Sequence, residues 1–204
     1  DGLAAGKGVV IAYTREEAEN AINTMLLEER FGEASQSIVI EEFLLGEELS
    51  YIIMTDGEHY LPLASSQDHK RRDQGDRGPN TGGMGAYSPA PLLTETLETR
   101  IIEKVVQPTL SGLQKENLPY CGFLYIGLMI TPEGQPKVLE FNCRLGDPET
   151  QPILMRLKSD LVSLCLAGVN HELDKVKTVW DTRSALTIVL ASSARGRCAN
   201  FLNR

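Results

Sequence analysis

The chain has 204 residues, of which 42% are apolar and 24% charged, a composition typical of a folded globular protein rather than a disordered one. Its formal charge of -8 argues against a general binder of nucleic acid or of anionic membranes, and its apolar runs fall short of the roughly 20 residues of a membrane-spanning helix. Four widely spaced cysteines form no CxxC pair, so neither a zinc site nor a disulfide framework is indicated, and a reducing cytoplasm is the expected location.

The first predicted element is a glycine-rich loop that contains Gly6-Lys7-Gly8 and runs directly into apolar residues. Loops of this kind normally connect packed strands, so we expect the chain to be a piece of something longer. Thr14 and Glu17 have the spacing of a capping box, which predicts a helix that begins there and ends near Gly32. The apolar residues 38–40 then predict a short strand.

Two hairpins are predicted further along the chain, with a polar stretch between them. The first joins strands at 49–55 and 58–63 through Asp56-Gly57, a pair typical of a type I′ turn, and its Pro62 favours a sheet edge. The second pairs 122–131 with 137–141. Residues 65–91 lack periodicity, and a long irregular loop inside a compact domain is usually functional or disordered.

Helical spacing and caps predict the remaining helices. One runs through Leu97 and Val105 and is kinked or restarted by Pro108. Asp147 is predicted as the N-cap of a helix that ends near Leu157, and a further helix covers 160–167. With a closing strand at 185–191, the fold class is α+β (mixed α/β) with antiparallel hairpins, unlike the βαβ pattern of a Rossmann fold.

Two clusters could bind a nucleotide. The glycines around Lys7 would let backbone N–H groups approach phosphate oxygens, although a turn with a solvated lysine is an equally simple interpretation. Residues 41–48 combine four carboxylates with apolar side chains, which could form an adenine hinge followed by a ribose-binding glutamate. The alternative is an acidic strand exit that turns at Gly46.

Two later clusters could bind a substrate and a metal ion. Residues 67–72 and 78–85 combine a basic triplet with four glycines, which suits a phosphate ester and a small polar substrate, unless the segment is a solvated loop. On a strand, Glu140 and Asn142 point to the same side and offer two oxygen ligands, a credible Mg²⁺ half-site. Arg144 follows where phosphoryl charge would need stabilising. Simple alternation along an edge strand is the alternative for this pair.

The order of these clusters and several sequence runs closely resemble the glycinamide ribonucleotide synthetase (phosphoribosylamine–glycine ligase) family of the ATP-grasp superfamily. The runs are DGLAAGKG, IVIEEFLLGEE, QDHKR, GPNTGGMGAYSPAP, PKVLEFNCR and GDPETQPI. The resemblance covers about residues 1–192 and implies an ATP-grasp fold with antiparallel sheets and flanking helices, expected to be incomplete. It implies part of a lid subdomain at 1–40, a central domain at 41–184 with a substrate loop at 65–91 and a metal strand at 137–142, and the start of a truncated C-terminal domain at 185–204.

The same resemblance implies the ATP-dependent ligation of glycine to 5-phosphoribosylamine. In the family this reaction passes through glycyl phosphate and gives glycinamide ribonucleotide, ADP and phosphate in purine biosynthesis, with Mg²⁺ (or Mn²⁺) as the metal. The implied partners are these small molecules, with no nucleic acid or membrane, in a monomer or weak dimer. The alternatives are another ATP-grasp carboxylate–amine ligase and a fragment that only binds nucleotide, and we expect negligible turnover from this chain alone.

Carried onto this sequence, the family's functional positions fall on eighteen residues. They are, for the nucleotide, Gly6, Lys7, Gly8, Glu41, Glu42, Phe43, Leu44 and Glu48; for the substrates, Asp68, Lys70, Arg71, Asn80, Thr81, Gly82 and Gly83; for the metal, Glu140 and Asn142; and for catalysis, Arg144.

Overall fold

The computed structural model describes residues 9–27, 35–75 and 77–190, without the side chains of residues 79 and 80. The helices in these ranges are α1 (Arg15–Leu26), α2 (Glu95–Ile101), α3 (Gln107–Lys115), α4 (Thr150–Arg156) and α5 (Leu161–Val169). The strands in the same ranges are β1 (Glu47–Asp56), β2 (Tyr60–Pro62), β3 (Gln67–Asp68), β4 (Arg71–Asp73), β5 (Arg77–Asn80), β6 (Gly85–Ser88), β7 (Cys121–Ile130), β8 (Pro136–Asn142) and β9 (Ala185–Ile188). Among the described helices, none has the length and apolar character needed to cross a membrane.

A four-stranded antiparallel sheet in the order β2-β1-β7-β8 organises the chain. It contains both predicted hairpins, and Pro62 lies in its edge strand as expected. The predicted type I′ turn is wrong, because Thr55 pairs with Tyr60 and residues 56–59 connect the strands. The Asp56 carboxylate explains the longer connection, since it accepts hydrogen bonds from the backbone N–H groups of residues 58 and 59 at 2.9 and 2.6 Å.

The two faces of this sheet pack against different helices. Leu49, Tyr51 and Ile53 of β1 lie in one core cluster with apolar residues of α2 and α3. Ile52 and Met54 face the other way and lie in a second cluster with residues of α4 and α5. Both faces are therefore buried, which explains the unbroken apolar run at residues 51–54 of β1. Each fully buried large apolar side chain contributes about 1.5–3 kcal/mol to stability.

The predicted interruption at Pro108 takes the form of a wide helical turn. Thr94 caps α2 by accepting a hydrogen bond from the backbone N–H of Leu97. A π-helical turn at Ile102–Val106 then joins α2 to α3, and Pro108 lies in the first turn of α3. Proline lacks the N–H that would continue a regular helix, so the wider turn placed just before it satisfies the local geometry.

The sequence predicted an irregular loop at 65–91, and this prediction is wrong. The stretch contains several short strands. A second sheet has the order β3-β6-β9, and β4 pairs with β5 in a small hairpin. A bridge between Ser66 and Ser50 ties this stretch to β1. The strands within 65–91 escaped prediction because each has only two to four residues in a polar and glycine-rich sequence, where no apolar alternation can show, whereas β9 lies within the strand predicted at 185–191.

Three smaller sequence predictions can be compared with the structure. The capping box of α1 is confirmed, since the Thr14 hydroxyl and the Glu17 carboxylate each accept the other residue's backbone N–H. The prediction of a strand at 38–40 is wrong, because the structure places no strand there. The side chains at positions 39 and 40 are largely exposed. The N-cap of α4 is Glu149 rather than Asp147, so this helix begins at Thr150.

Candidate functional site

One face of the sheet brings the central site residues together. Ser50 pairs with Gly127, which in turn pairs with Glu140, and Tyr125 pairs with Asn142. Because residues two apart on a strand share a face, Glu140 and Asn142 lie on the same side, as the sequence predicted. Gly127 leaves room there, since a Cβ atom on it would lie 3.2 Å from Cγ of Glu140. This part of the site is therefore built on three neighbouring strands.

The loop after β3 is joined to the beginning of β1 by an ion pair. The Lys70 ammonium donates a hydrogen bond to Oε2 of Glu48 at 2.9 Å, and the Gln67 side-chain amide donates to the Glu48 carbonyl at 3.0 Å. Burial lowers the pKa of Lys70, but the carboxylates of Glu48, Asp68 and Glu140 outweigh it and raise that pKa overall. Residues expected at the nucleotide, the substrate and the metal thus lie close to one lysine.

Asp68 is the least satisfied carboxylate of this group. Its Oδ1 atom is buried and has no hydrogen-bond partner among the described residues. Burial, reinforced by the nearby negative charges of Glu149 and Glu48, raises the pKa of Asp68 to about 7. Gly83 lies against this oxygen, and a Cβ atom at Gly83 would lie 3.0 Å from it and 2.3 Å from Cδ of Pro148. Glycine is therefore required at position 83, which also has a φ of +123°.

A buried polar network that sequence reasoning missed lies beneath the site. Ser50 Oγ donates to Oε1 of Glu149 at 2.8 Å and lies 3.0 Å from the Tyr125 hydroxyl. Glu149 is only 2% exposed, and its carboxylate occupies the space that a side chain at Gly146 would need. A serine within an apolar strand and a glutamate directly after Asp-Pro were the available signals, but only the fold brings them together.

The donor set of Glu140 and Asn142 fits a divalent cation. A carboxylate oxygen and an amide carbonyl oxygen are ligands that Mg²⁺ and Mn²⁺ prefer. The side-chain nitrogen of Asn142 is buried without a hydrogen-bond partner in the described part of the chain, so a nearby acceptor such as a phosphate oxygen would satisfy it. Across the same residues, no group of three or more His, Cys, Asp or Glu could hold a metal ion alone. The protein therefore offers a half-site that suits a metal already bound to phosphates.

The predicted adenine hinge precedes β1 as an irregular, mostly exposed segment at 41–45. Glu42 forms an ion pair with Lys137 of β8 at 3.1 Å. The Phe43 ring meets the Tyr13 ring edge-on, with 5.4 Å between ring centres. This aromatic contact joins the segment before α1 to the hinge and leaves Phe43 46% exposed.

The substrate loop is held together by its own hydrogen bonds. Arg71 donates to the Gly78 carbonyl at 2.9 Å, and its backbone pairs with that of Asn80. Thr81 donates to the Lys70 carbonyl through both its backbone N–H and its hydroxyl, at 2.7 and 2.9 Å. Gly82 has open space on its side-chain side. These contacts shape the loop, while the ammonium of Lys70 stays directed at β1.

Two groups of predicted residues do not join this cluster. Arg144 is exposed, and the structure records one hydrogen bond from its guanidinium, to the neighbouring Leu145 carbonyl at 2.8 Å. Gly6, Lys7 and Gly8 lie outside the described residues. A cavity of about 450 Å³ lined by Leu97, Arg100 and Ile130, among others, contains no predicted site residue.

Comparison with known proteins decides the family. Residues 1–150 match the family model described as phosphoribosylglycinamide synthetase, ATP-grasp (A) domain. This chain belongs to that family. The ATP-grasp fold expected from the sequence is thereby confirmed, and ATP-grasp ligases in general use ATP and divalent metal ions and act on small molecules.

Named relatives of the phosphoribosylglycinamide synthetase family are considerably longer than this chain. A phosphoribosylamine–glycine ligase from Allochromatium vinosum is 64% identical over 192 residues, which are 94% of this chain and 45% of that protein. The phosphoribosylamine–glycine ligase from Vibrio parahaemolyticus is 60% identical over 192 residues, which are again 94% of this chain and 45% of that protein. The crystal structure of phosphoribosylamine–glycine ligase from Thermotoga maritima superposes with a TM-score of 0.82 at 37% identity, covering 97% of this chain and 49% of that one. The chain spans about half the length of the relatives it matches.

Proposed function

We propose that this chain carries the nucleotide-binding and metal-binding part of a phosphoribosylamine–glycine ligase. The ligase joins glycine to 5-phosphoribosylamine, driven by cleavage of ATP, and releases glycinamide ribonucleotide, ADP and phosphate. The observation that supports this most strongly is the close approach of Glu48, Asp68, Lys70 and Glu140, in a chain that is 64% identical to a protein of that name.

In this proposal the β8 residues and the hinge bind the metal–nucleotide complex. The oxygens of Glu140 and Asn142 would hold Mg²⁺ or Mn²⁺, which would supply positive charge beside the triphosphate. Phe43 and its neighbours cover the adenine, and Glu48 accepts hydrogen bonds from the ribose hydroxyls. Glu48 is prepared for this role because it accepts a hydrogen bond from Lys70 through only one oxygen, Oε2.

The substrate loop and Arg144 complete the proposed site. Residues 68–71 and 80–83 surround glycine and the phosphoribosylamine, since they supply charged groups and accessible backbone. Arg144 is exposed and so available to a phosphoryl group. We assign residues 1–40 to part of a lid, 41–184 to the central ATP-grasp domain and 185–204 to the start of a further domain, in a cytoplasmic monomer or weak dimer.

A chimera tests the proposal. The 192 aligned residues of the Allochromatium vinosum ligase are replaced by those of this chain, which keeps the rest of the longer protein. We expect the chimera to form glycinamide ribonucleotide from ATP, glycine and 5-phosphoribosylamine, and to lose activity when Glu140→Gln and Asn142→Ala are introduced together. A folded chimera that binds nucleotide but forms no product would contradict the proposed function.

A further inference from the structure

The cavity of about 450 Å³ lies on the other face of the main sheet from the proposed metal residues. Its lining includes Leu97 and Ile130, two buried residues of the core cluster that β1 shares with α2 and α3. Glu140 and Asn142 instead share a face with Tyr125, which belongs to the second core cluster. The sheet therefore separates this cavity from the site described above.

Arg100 gives the cavity a positive charge. Its half-buried guanidinium donates a hydrogen bond through Nη1 to the Gly134 carbonyl, and in the described ranges no carboxylate forms an ion pair with it. Among the same residues, Nε and Nη2 of Arg100 have no hydrogen-bond acceptor. These two groups form an edge of the guanidinium that binds a carboxylate through two parallel hydrogen bonds.

Most of the remaining lining is apolar. Leu92, Leu97, Ile130 and Pro132 all contribute to it, and the volume lies within the range of pockets that bind small molecules. A bare inorganic anion would bind Arg100 but would leave these apolar side chains uncovered. The lining therefore suits a ligand with an apolar body and a carboxylate at one end.

One residue of the lining, Glu47, has a charge of the opposite sign. Its side chain is exposed at the first position of β1, where water and salt screen its charge strongly. The guanidinium of Arg100 is half-buried and is screened less. Arg100 therefore decides the charge of the ligand.

We infer that this cavity binds a small molecule that has an apolar body and one carboxylate, with Arg100 as its anchor. The inference is independent of the proposed function, because no residue that we assign to the nucleotide, the metal or the substrates lines the cavity. The lining does include Gly46 and Glu47, which directly precede the proposed ribose residue Glu48. A bound ligand would contact the beginning of β1 on the face away from the metal residues.

NMR titration of the 204-residue chain with 3-phenylpropionate tests the inference. This probe has a phenyl body and a carboxylate, and 3-phenylpropan-1-ol, in which an alcohol replaces the carboxylate, is the matched ligand. We expect 3-phenylpropionate to bind with a Kd of about a few millimolar, as a ligand of this size allows, and about tenfold more tightly than the alcohol. The backbone amide signals of Thr131 and Gly134 should shift as it binds, because both residues line the cavity.

Two variants remove the proposed site in different ways. Arg100→Gln removes the guanidinium and should weaken binding about tenfold, whereas Lys104→Gln, about one turn further along the helix, removes the same charge from a side chain that contacts Gln135 outside the cavity and should leave the Kd nearly unchanged. Thr96→Trp places a bulky ring in the cavity and should abolish binding. Glu95→Trp is its control, since that neighbouring position does not line the cavity. Thermal unfolding shows whether each variant is folded.

A third variant tests the sign of the ligand's charge. Glu47→Gln removes the negative charge from the lining, so binding of 3-phenylpropionate should be at least as tight as in the unchanged chain. Weaker binding in this variant would overturn the inference, because the site would then require the carboxylate of Glu47.

The inference is also overturned if 3-phenylpropionate does not bind at about 20 mM, if the alcohol binds as tightly, or if the shifted amides lie away from the cavity. Binding as tight as that of the unchanged chain in folded Arg100→Gln or folded Thr96→Trp overturns it as well. If one of these variants does not fold, the other decides. None of these results bears on the proposed function, which is tested through product formation and nucleotide binding.

Discussion

The Nζ atom of Lys70 lies 2.9 Å from Oε2 of Glu48. This ion pair joins the polar loop after β3 to the beginning of β1. Both side chains are partly exposed, so the pair contributes little to overall stability. Its effect is local, because it fixes the position of a lysine among three carboxylates. The pair connects the glutamate that we assign to the ribose with the loop that we assign to the substrates.

Replacing Glu48 should lower the pKa of Lys70 while leaving the free energy of unfolding nearly unchanged. Glu48→Gln removes one of the carboxylates that raise the pKa of Lys70, so we expect that pKa to fall while the free energy of unfolding changes by less than about 1 kcal/mol. NMR titration of the lysine side-chain nitrogen measures the pKa directly. Glu42→Gln is the control, since Glu42 pairs with Lys137 instead, and an equal fall in both variants would contradict this account.

Replacing Asp68 should stabilise the protein increasingly as the pH rises from about 4 to about 7. Asp68 has a pKa of about 7 in the folded chain and an ordinary, lower value when unfolded. The folded state therefore binds more protons between about pH 4 and pH 7, and the stability of the unchanged chain falls as the pH rises through that range. Asp68→Asn removes this loss, so its melting temperature should exceed that of the unchanged chain at pH 8 and match it near pH 4. A difference of the same size at both pH values would refute the raised pKa.

Arg156 should stabilise the packing of α4 against β6 and against the segment that precedes β9. Its buried guanidinium donates to the Ser88 hydroxyl at 2.9 Å and to the carbonyls of Asp181 and Arg183, each at 3.0 Å. Lysine cannot reproduce this fork, so Arg156→Lys should lower the free energy of unfolding by about 2 kcal/mol, as measured in urea. The control Arg183→Lys changes a side chain that is 87% exposed and should cost less than about 0.5 kcal/mol. If Arg156→Lys lowers the free energy of unfolding by no more than the small cost expected of the control, the hydrogen bonds of the Arg156 guanidinium do not stabilise the fold in this way.

The space above Gly127 should be important for metal-dependent binding. A methyl group there would lie 3.2 Å from Glu140 and 3.3 Å from the Tyr125 ring, so Gly127→Ala should displace the Glu140 carboxylate and weaken binding of the MgATP analogue. Gly112→Ala in α3 is the matched control, because it meets open space and should stabilise the chain by about 0.5–1 kcal/mol without changing that affinity. Unchanged nucleotide affinity in Gly127→Ala would show that Glu140 is not positioned in this way.

Local sequence patterns predicted the elements whose causes are local. The capping box at Thr14, the edge strand at Pro62 and the shared face of Glu140 and Asn142 each depend on residues a few positions apart. The turn after β1 was mispredicted because the Asp56 carboxylate binds backbone N–H groups, an interaction that competes with the turn preference of the pair Asp-Gly.

The rest of the site depends on contacts that are distant in sequence. Ser50 and Glu149 are 99 positions apart, and Tyr87 of β6 pairs with Leu186 of β9. No periodicity in the sequence indicates that a serine in an apolar strand lies next to a buried glutamate. Family resemblance named the residues of the substrate loop, but the unpartnered oxygen of Asp68 became visible only once burial and neighbours were known.

Calorimetric titration of the 204-residue chain with a non-hydrolysable ATP analogue, with and without Mg²⁺, tests the central claim most directly. We predict binding that is stronger with Mg²⁺ in the unchanged chain, and the loss of that difference when Glu140→Gln and Asn142→Ala are combined. Glu133→Gln, in the exposed turn between β7 and β8, should retain it. Binding in the double variant that is as strong and as dependent on Mg²⁺ as in the unchanged chain would contradict the account.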